Sequence, residues 1–147
     1  MGEPYRDQGV ALDVPAGWTV TTDVVSGETV FAGPPETGAR LSVTRLTLPE
    51  QDTGEALAAQ ADALQAARFP GCDLVEEAVF EGEDGSPVLH RVLRQGEAQV
   101  ELLLVRGPAA LFAAVAERPG GLAPEESERV ERDLMQMLAS FALDRTG

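Results

Sequence analysis

Residues 74–116 read LVEEAVFEGEDGSPVLHRVLRQGEAQVELLLVRGPAALFAAVA, and this stretch decides the fold. It divides into four extended segments, Leu74–Glu81, Val88–Arg94, Ala98–Arg106 and Ala109–Ala116. The sequences between them carry Asp84-Gly85-Ser86, Gln95-Gly96 and Gly107-Pro108, residue types that favour tight reversals. Extended segments joined by short turns predict an antiparallel meander.

Short turns also set register, and side chains alternate between the two faces of a strand. Two-residue loops at Asp84-Gly85, Gln95-Gly96 and Gly107-Pro108 would collect Leu74, Ala78, Phe80, Leu89, Leu93, Ala98, Val100, Leu102, Leu104, Leu111, Ala113 and Val115 on one face. Only Glu76 and Arg91 interrupt that face, placed diagonally and close enough to pair. It calls for a helix on top. The second face collects Val75, Glu77, Val79, Glu81, Val88, His90, Val92, Arg94, Gln99, Glu101, Leu103, Val105 and Phe112, with His90 opposite Glu101 and Arg94 opposite Glu97. Such opposed pairs contribute about 0.2–1 kcal/mol each when both members are charged. Mixed charged and apolar side chains cannot be sealed under a helix without cost. Two readings stay open: a half-solvated antiparallel sheet, or a platform for an apolar segment with charges at its rim. On the second reading the candidate partner-binding residues are Val79, Val88, His90, Val92, Leu103 and Phe112.

Upstream, Gly9–Val14, Trp18–Val25, Glu28–Ala32 and Arg40–Leu48 read as further strands, separated by Pro15-Ala16-Gly17, Ser26-Gly27 and the Pro34-Pro35 loop. Asp52 or Thr53 can cap a helix from Gly54 to about Arg68, in which Leu57, Ala61 and Leu64 share a face and abundant alanine permits close approach to a sheet. A second helix is expected from about Pro124 to Leu143. Proline and glutamates suit its first turn, and Val130, Leu134, Met137, Leu138 and Phe141 form its apolar stripe. The class is therefore α+β: an antiparallel sheet of about six to eight strands carrying helices, as one domain over residues 1–147.

Composition bounds the function. The chain has 147 residues and a formal net charge of −14, with 25 acidic and 11 basic residues. All the basic residues are arginines. This balance repels phosphate backbones and argues against nucleic acid or an anionic membrane as partner, while suiting a basic or neutral apolar protein segment. No apolar run is long enough to insert into a membrane. The single cysteine forms no internal disulfide, and no signal-peptide pattern opens the chain; the expected location is cytoplasmic, or extracytoplasmic if a native signal segment has been removed.

Nothing arranges itself for catalysis. His90 is the only histidine, which excludes a multi-histidine metal site, and no nucleophile elbow is present. Cys72 lies among Asp73, Glu76 and Glu77, whose charges oppose a thiolate. Glu81, Glu83 and Asp84 lack the spacing of an EF-hand loop. The expectation is a protein that is not an enzyme, with no metal and no cofactor.

Element order and a few phrases carry a resemblance. Tyr5-Arg6 followed by Leu12-Asp13-Val14-Pro15-Ala16-Gly17-Trp18, the helix ending Ala67-Arg68-Phe69-Pro70-Gly71, the meander, and a last helix reading Leu134-Met135-Gln136-Met137-Leu138-Ala139-Ser140-Phe141 together resemble the PsbP-like superfamily. Within it the layout is similar to DcrB-related bacterial proteins and to the Eag-type chaperones of type VI secretion effectors. The resemblance implies an α/β/α sandwich on a curved sheet, and a non-catalytic role. For the chaperone branch it implies a sheet that cradles hydrophobic helices of a client, usually in a homodimer. The leading expectation is an adaptor or chaperone that holds an apolar segment of another protein. The alternative is an accessory subunit or lipoprotein-like domain of an envelope or secretion complex.

Overall fold

The computed structural model describes residues 3–7, 9–23, 25–82 and 84–143. Five strands come first: β1 (Glu3–Asp7), β2 (Val10–Val14), β3 (Thr19–Thr22), β4 (Thr29–Ala32) and β5 (Arg40–Leu46). Helix α1 (Gly54–Arg68) follows, then the meander β6 (Asp73–Glu81), β7 (Pro87–Gln95), β8 (Ala98–Arg106) and β9 (Leu111–Arg118). Helix α2 (Pro124–Ser140) and a short β10 (Ala142–Leu143) close the described chain. Seven strands form one antiparallel sheet in the order β3-β4-β5-β9-β8-β7-β6, and β1-β2-β10 form a separate three-stranded sheet. The α+β class and the helix-carrying antiparallel sheet are as expected.

Helix α1 starts where Thr53 accepts a hydrogen bond from the Ala56 N–H at 3.2 Å. Leu57 and Ala61 bury fully against Leu89, Leu104, Leu111 and Ala113, so the helix lies over β7 and β8 on the first face of the sheet. Small Ala61 allows the close approach. On the opposite face, α2 and β2 cover the β4-β5-β9 half. Val130, Leu134 and Met137 of α2 meet Val10 and Leu12 of β2, and Phe31, Leu41, Phe112 and Ala114 of the sheet. Trp18 Nε1 donates to Asp133 Oδ2 at 3.0 Å and ties the loop after β2 to α2.

Three details differ from the sequence reading. Helix α2 ends at Ser140 rather than near Leu143: Phe141 turns extended, and Ala142 and Leu143 pair with Ala11 and Val10. Strand β1, which pairs all its five residues with β2, has no counterpart in the predicted strands. The strand expected over Trp18–Val25 is trimmed to Thr19–Thr22, and Val24 lies outside the described residues.

The meander turns decide the faces. The β7–β8 loop is Gly96-Glu97, with Gly96 at φ +60° in the left-handed region that a tight hairpin requires. The β8–β9 loop is four residues, Gly107–Ala110. Both differ from the predicted register by an even offset, so β7, β8 and β9 keep their predicted faces while partners change. His90 stands opposite Leu103, Glu101 opposite Val92, and Arg94 opposite Gln99. The β6–β7 loop instead spans Gly82–Ser86, closed by Gly82 N–H to Ser86 C=O at 2.8 Å. Its odd length inverts β6 from Glu76 to Glu81, and a bulge between Leu74 and Glu76 restores Leu74 to the α1 side. Phe80 and Ala78 therefore lie on the second face, whereas Glu77 and Val79 lie on the α1 face. Arg91 pairs with Glu77, not Glu76.

Candidate functional site

The second face is open where α2 and the small sheet stop. A cleft of about 650 Å³ runs between β6, β7 and β8 on one side and the end of α2 with β10 on the other. Its floor is Val88, Leu103 and Val105, and its walls are Phe80 of β6 and Leu138, Phe141 and Leu143 beyond the covering core. Arg6, Arg106 and Asp84 stand at its mouth. The Arg106 guanidinium itself turns to the α1 side, donating to the Pro49 carbonyl at 3.2 Å and lying 3.8 Å from Asp52.

The six candidates distribute unevenly. Val88 and Leu103 line the cleft. His90 lies beside it, its Nε2 3.2 Å from Glu101 Oε1 with the side chain about a third exposed. This diagonal pair joins the two residues that the sequence reading placed opposite each other. Val92 keeps the predicted face but is closed over at 7 % exposure, with Glu101 and Glu76 as its strand neighbours. Phe112 is on the predicted face too, but it is buried beneath β2 in the main core, with the Arg45 guanidinium 5.4 Å from its ring centre. No partner reaches it there. Val79 is on the wrong face: it stands at the start of α1, where a Cβ on Gly54 would lie 3.1 Å from Val79 Cγ1.

Phe80 is the residue that sequence reasoning put elsewhere. It is half exposed on the cleft face, whereas a two-residue loop before β7 predicts it on the covered one. The signal for the longer loop is Asp84, whose Oδ1 accepts from Ser86 N–H at 3.0 Å in an Asx turn. Leu138 and Phe141 belong to the apolar stripe read from sequence, but their position at the cleft depends on where α2 stops.

Other polar groups serve the scaffold. The Arg91 guanidinium is buried at 4 % exposure and bonds Glu77, Asp62 at 2.8 Å and Gln65 at 3.2 Å, fastening α1 to β6 and β7. Burial works against its charge, but the hydrogen bonds with Asp62 and Glu77 outweigh that and raise its pKa. A smaller polar cavity of about 350 Å³ lies by the β7–β8 loop, where Glu97 accepts from Gly121 N–H at 3.0 Å and its carbonyl accepts from Arg118 at 3.1 Å. Burial, then Asp73 and Glu117, pushes the Cys72 thiol pKa up. Among the described residues no group of three histidine, cysteine or acidic side chains could hold a metal ion; Glu83 of the predicted acidic turn lies outside them. No helix among these residues is long and apolar enough to cross a membrane.

A large antiparallel sheet with one helix on each face, the second helix backed by a small sheet, defines the PsbP/Mog1 fold. The cyanobacterial PsbP protein CyanoP from Synechocystis superposes with a TM-score of 0.69 at 18 % identity, covering 96 % of this chain and 91 % of its own. The Ran-binding protein Mog1p of Saccharomyces cerevisiae superposes at 0.64 with 12 % identity, covering 94 % and 92 %. A Pseudomonas aeruginosa protein of unknown function superposes at 0.53 with 15 % identity, covering 92 % and 94 %. No protein-family model matches the chain, and no curated protein matches it significantly. At these identities what is shared is the fold.

Proposed function

We propose that this chain is a non-catalytic protein-binding module, an adaptor or chaperone that seats an apolar segment of a partner protein in the cleft between β6–β8 and the end of α2. The observation that carries the reading is the cleft itself. Phe80, Val88, Leu103, Val105, Leu138 and Phe141 line one opening at the end of α2, with Phe80 half exposed beside it, and a concave site lined mainly by apolar side chains suits a bound segment. A neighbour of the same fold, Mog1p, is described as Ran-binding, which supports a protein partner by analogy of fold alone. The Eag-type chaperone version adds that the segment is helical. A groove floored by a sheet and walled by a helix end suits an amphipathic helix that lays its apolar face inward. The DcrB-related likeness supports the same non-catalytic role.

The test is a photo-cross-linking amino acid at position 80 in the native host, with the linked peptide identified by mass spectrometry. The expected capture is a single protein linked through an apolar segment, lost in Leu103→Asp protein that melts within a few degrees of wild type. A cross-link that persists in the Leu103→Asp protein, or one made only to lipid, counts against the reading.

A further inference from the structure

Strand β6 is one of the two edges of the seven-stranded sheet, the other being β3. It runs nine residues and all nine are exposed. The unpaired N–H and C=O groups of such an edge form a template for another strand, and natural proteins blunt edges by shortening, bulging or charging them. Here the bulge sits at one end only. The large apolar side chains Leu74, Val75, Val79 and Phe80 each remain about half exposed, and lysine, the commonest blunting residue, is absent from the chain.

The charges on this edge select a partner. Arg91 neutralises Glu77, whereas Asp73, Glu76 and Glu81 have no salt bridge among the described residues. A second copy paired antiparallel about the middle of the strand would set Asp73 against Glu81 and Glu77 against Glu77, and like charges directly opposite are destabilising. The geometry points to β6 as a docking edge for an extended, arginine- or lysine-bearing segment of a different protein, which adds as a further strand. Against an antiparallel newcomer, basic residues suit Glu81, Glu76 and Asp73, and apolar residues suit Phe80 with Val79 and Val75 with Leu74. The motif is basic-apolar-apolar-x-x-basic-apolar-apolar-basic. Main-chain hydrogen bonds would supply affinity and these side chains specificity. The edge shares Phe80 with the wall of the cleft, but its main-chain groups and Asp73 to Val79 lie outside the cleft lining, so strand addition does not require the cleft to be occupied.

The probe is the capped peptide Arg-Val-Val-Thr-Thr-Arg-Val-Val-Arg, titrated onto the full chain at physiological salt. Two controls accompany it: an isomer with its arginines contiguous, and a version N-methylated at alternate residues. The expected result is that amide exchange over residues 73–81 slows at least tenfold with the parent peptide. Both controls, and the parent peptide on Glu76→Arg/Glu81→Arg protein, should bind at least tenfold more weakly. Equal binding of all three peptides shows attraction to the net charge alone and overturns the proposal, as does protection that maps away from β6. Concentration-dependent protection of β6 without peptide would assign the edge to a second copy instead, and equally overturns it.

Discussion

The most discriminating perturbation is a pair of double-mutant cycles on Arg91, because the partner it chooses reports which way β6 faces. Arg91 Nε donates to Glu77 Oε2 at 2.7 Å and a second guanidinium nitrogen contacts the same oxygen. A hydrogen bond to a charged group contributes about 1.5–3 kcal/mol. With Arg91 at 4 % exposure and the Glu77 side chain at 31 %, the Glu77→Ala/Arg91→Met cycle should return a coupling of about 2–3 kcal/mol. Asp62 is 72 % exposed, so its cycle should give about 0.2–1 kcal/mol, the range of a surface pair. Glu76 lies across the sheet from Arg91 and should couple by less than about 0.5 kcal/mol, as independent sites do. Glu77→Ala alone leaves a buried guanidinium short of a partner and should cost more than Arg91→Met, whose apolar chain fills the space of the arginine stem and removes the charge. Urea unfolding at pH 7 measures all of these. The raised arginine pKa keeps that group's contribution complete below the ordinary arginine range and lost only above it, so its charge is constant over the working pH. Coupling to Glu76 with none to Glu77 would refute the reasoning. It would place Phe80 on the α1 face and remove one wall of the cleft.

Two further outcomes follow from local electrostatics. The Cys72 thiol, with its pKa raised by burial and then by Asp73 and Glu117, should react with iodoacetamide at pH 8 several-fold more slowly than glutathione, and at an ordinary rate once urea unfolds the chain; equal rates in the folded protein would contradict the burial. The Asp23 carboxylate accepts from Val25 N–H at 2.9 Å and Ser26 N–H at 3.3 Å, which hold its pKa below the usual value. A depressed carboxylate stabilises the folded state above its unfolded pKa and loses that effect as pH falls through the folded one. The β3–β4 turn should therefore weaken only below about pH 4, and Asp23→Asn should flatten that dependence in the Val25 and Ser26 amide shifts followed by NMR.

What the sequence made legible follows from which errors matter. The sequence places helix α1 from Gly54 to about Arg68 with Asp52 or Thr53 as its cap, and the structure has Gly54–Arg68 capped by Thr53, because Thr53 and Pro70 punctuate it. The faces of β7, β8 and β9 survived wrong turns because a shift of two residues leaves every side chain on its own side. Leu89 and Leu102 are fully buried and His90 is not, as the alternation requires. A shift of one residue is not forgiven. The five-residue loop before β7 inverts most of β6, exchanging Val79 for Phe80 as the residue beside the cleft. Phe112 was misjudged for a different reason. Alternation tells which face a side chain takes, but not what later packs on that face, and β2 arrives from a hundred residues upstream to cover it.

The two helices cover opposite faces at opposite ends of the sheet, so two regions are left without a helix over them, and the chain treats these regions differently. On the α1 face, beyond the reach of the helix, Glu28, Arg40, Glu117 and Arg68 alternate in sign around a ring. Arg40 Nε lies 3.2 Å from Glu117, Arg68 lies 3.8 Å from Glu117, and both arginines lie 4.0 Å from Glu28. Thr44 adds a 3.0 Å hydrogen bond to the Glu28 carboxylate. Beneath this ring Ser42 is fully buried without any helix above it. The ion pairs roof this part of the sheet, although Arg40 Nε, Glu117 Oε2 and Ser42 Oγ are buried there without a hydrogen-bond partner among the described residues. The other uncovered region could have been roofed in the same way, since Glu76, His90, Arg94 and Glu101 lie at one end of it. Instead the charges stop there, and Val88, Leu103, Val105 and Phe80 continue into the cleft. Apolar surface left open by a chain that elsewhere closes its gaps with ion pairs is the expected mark of a surface completed by a partner.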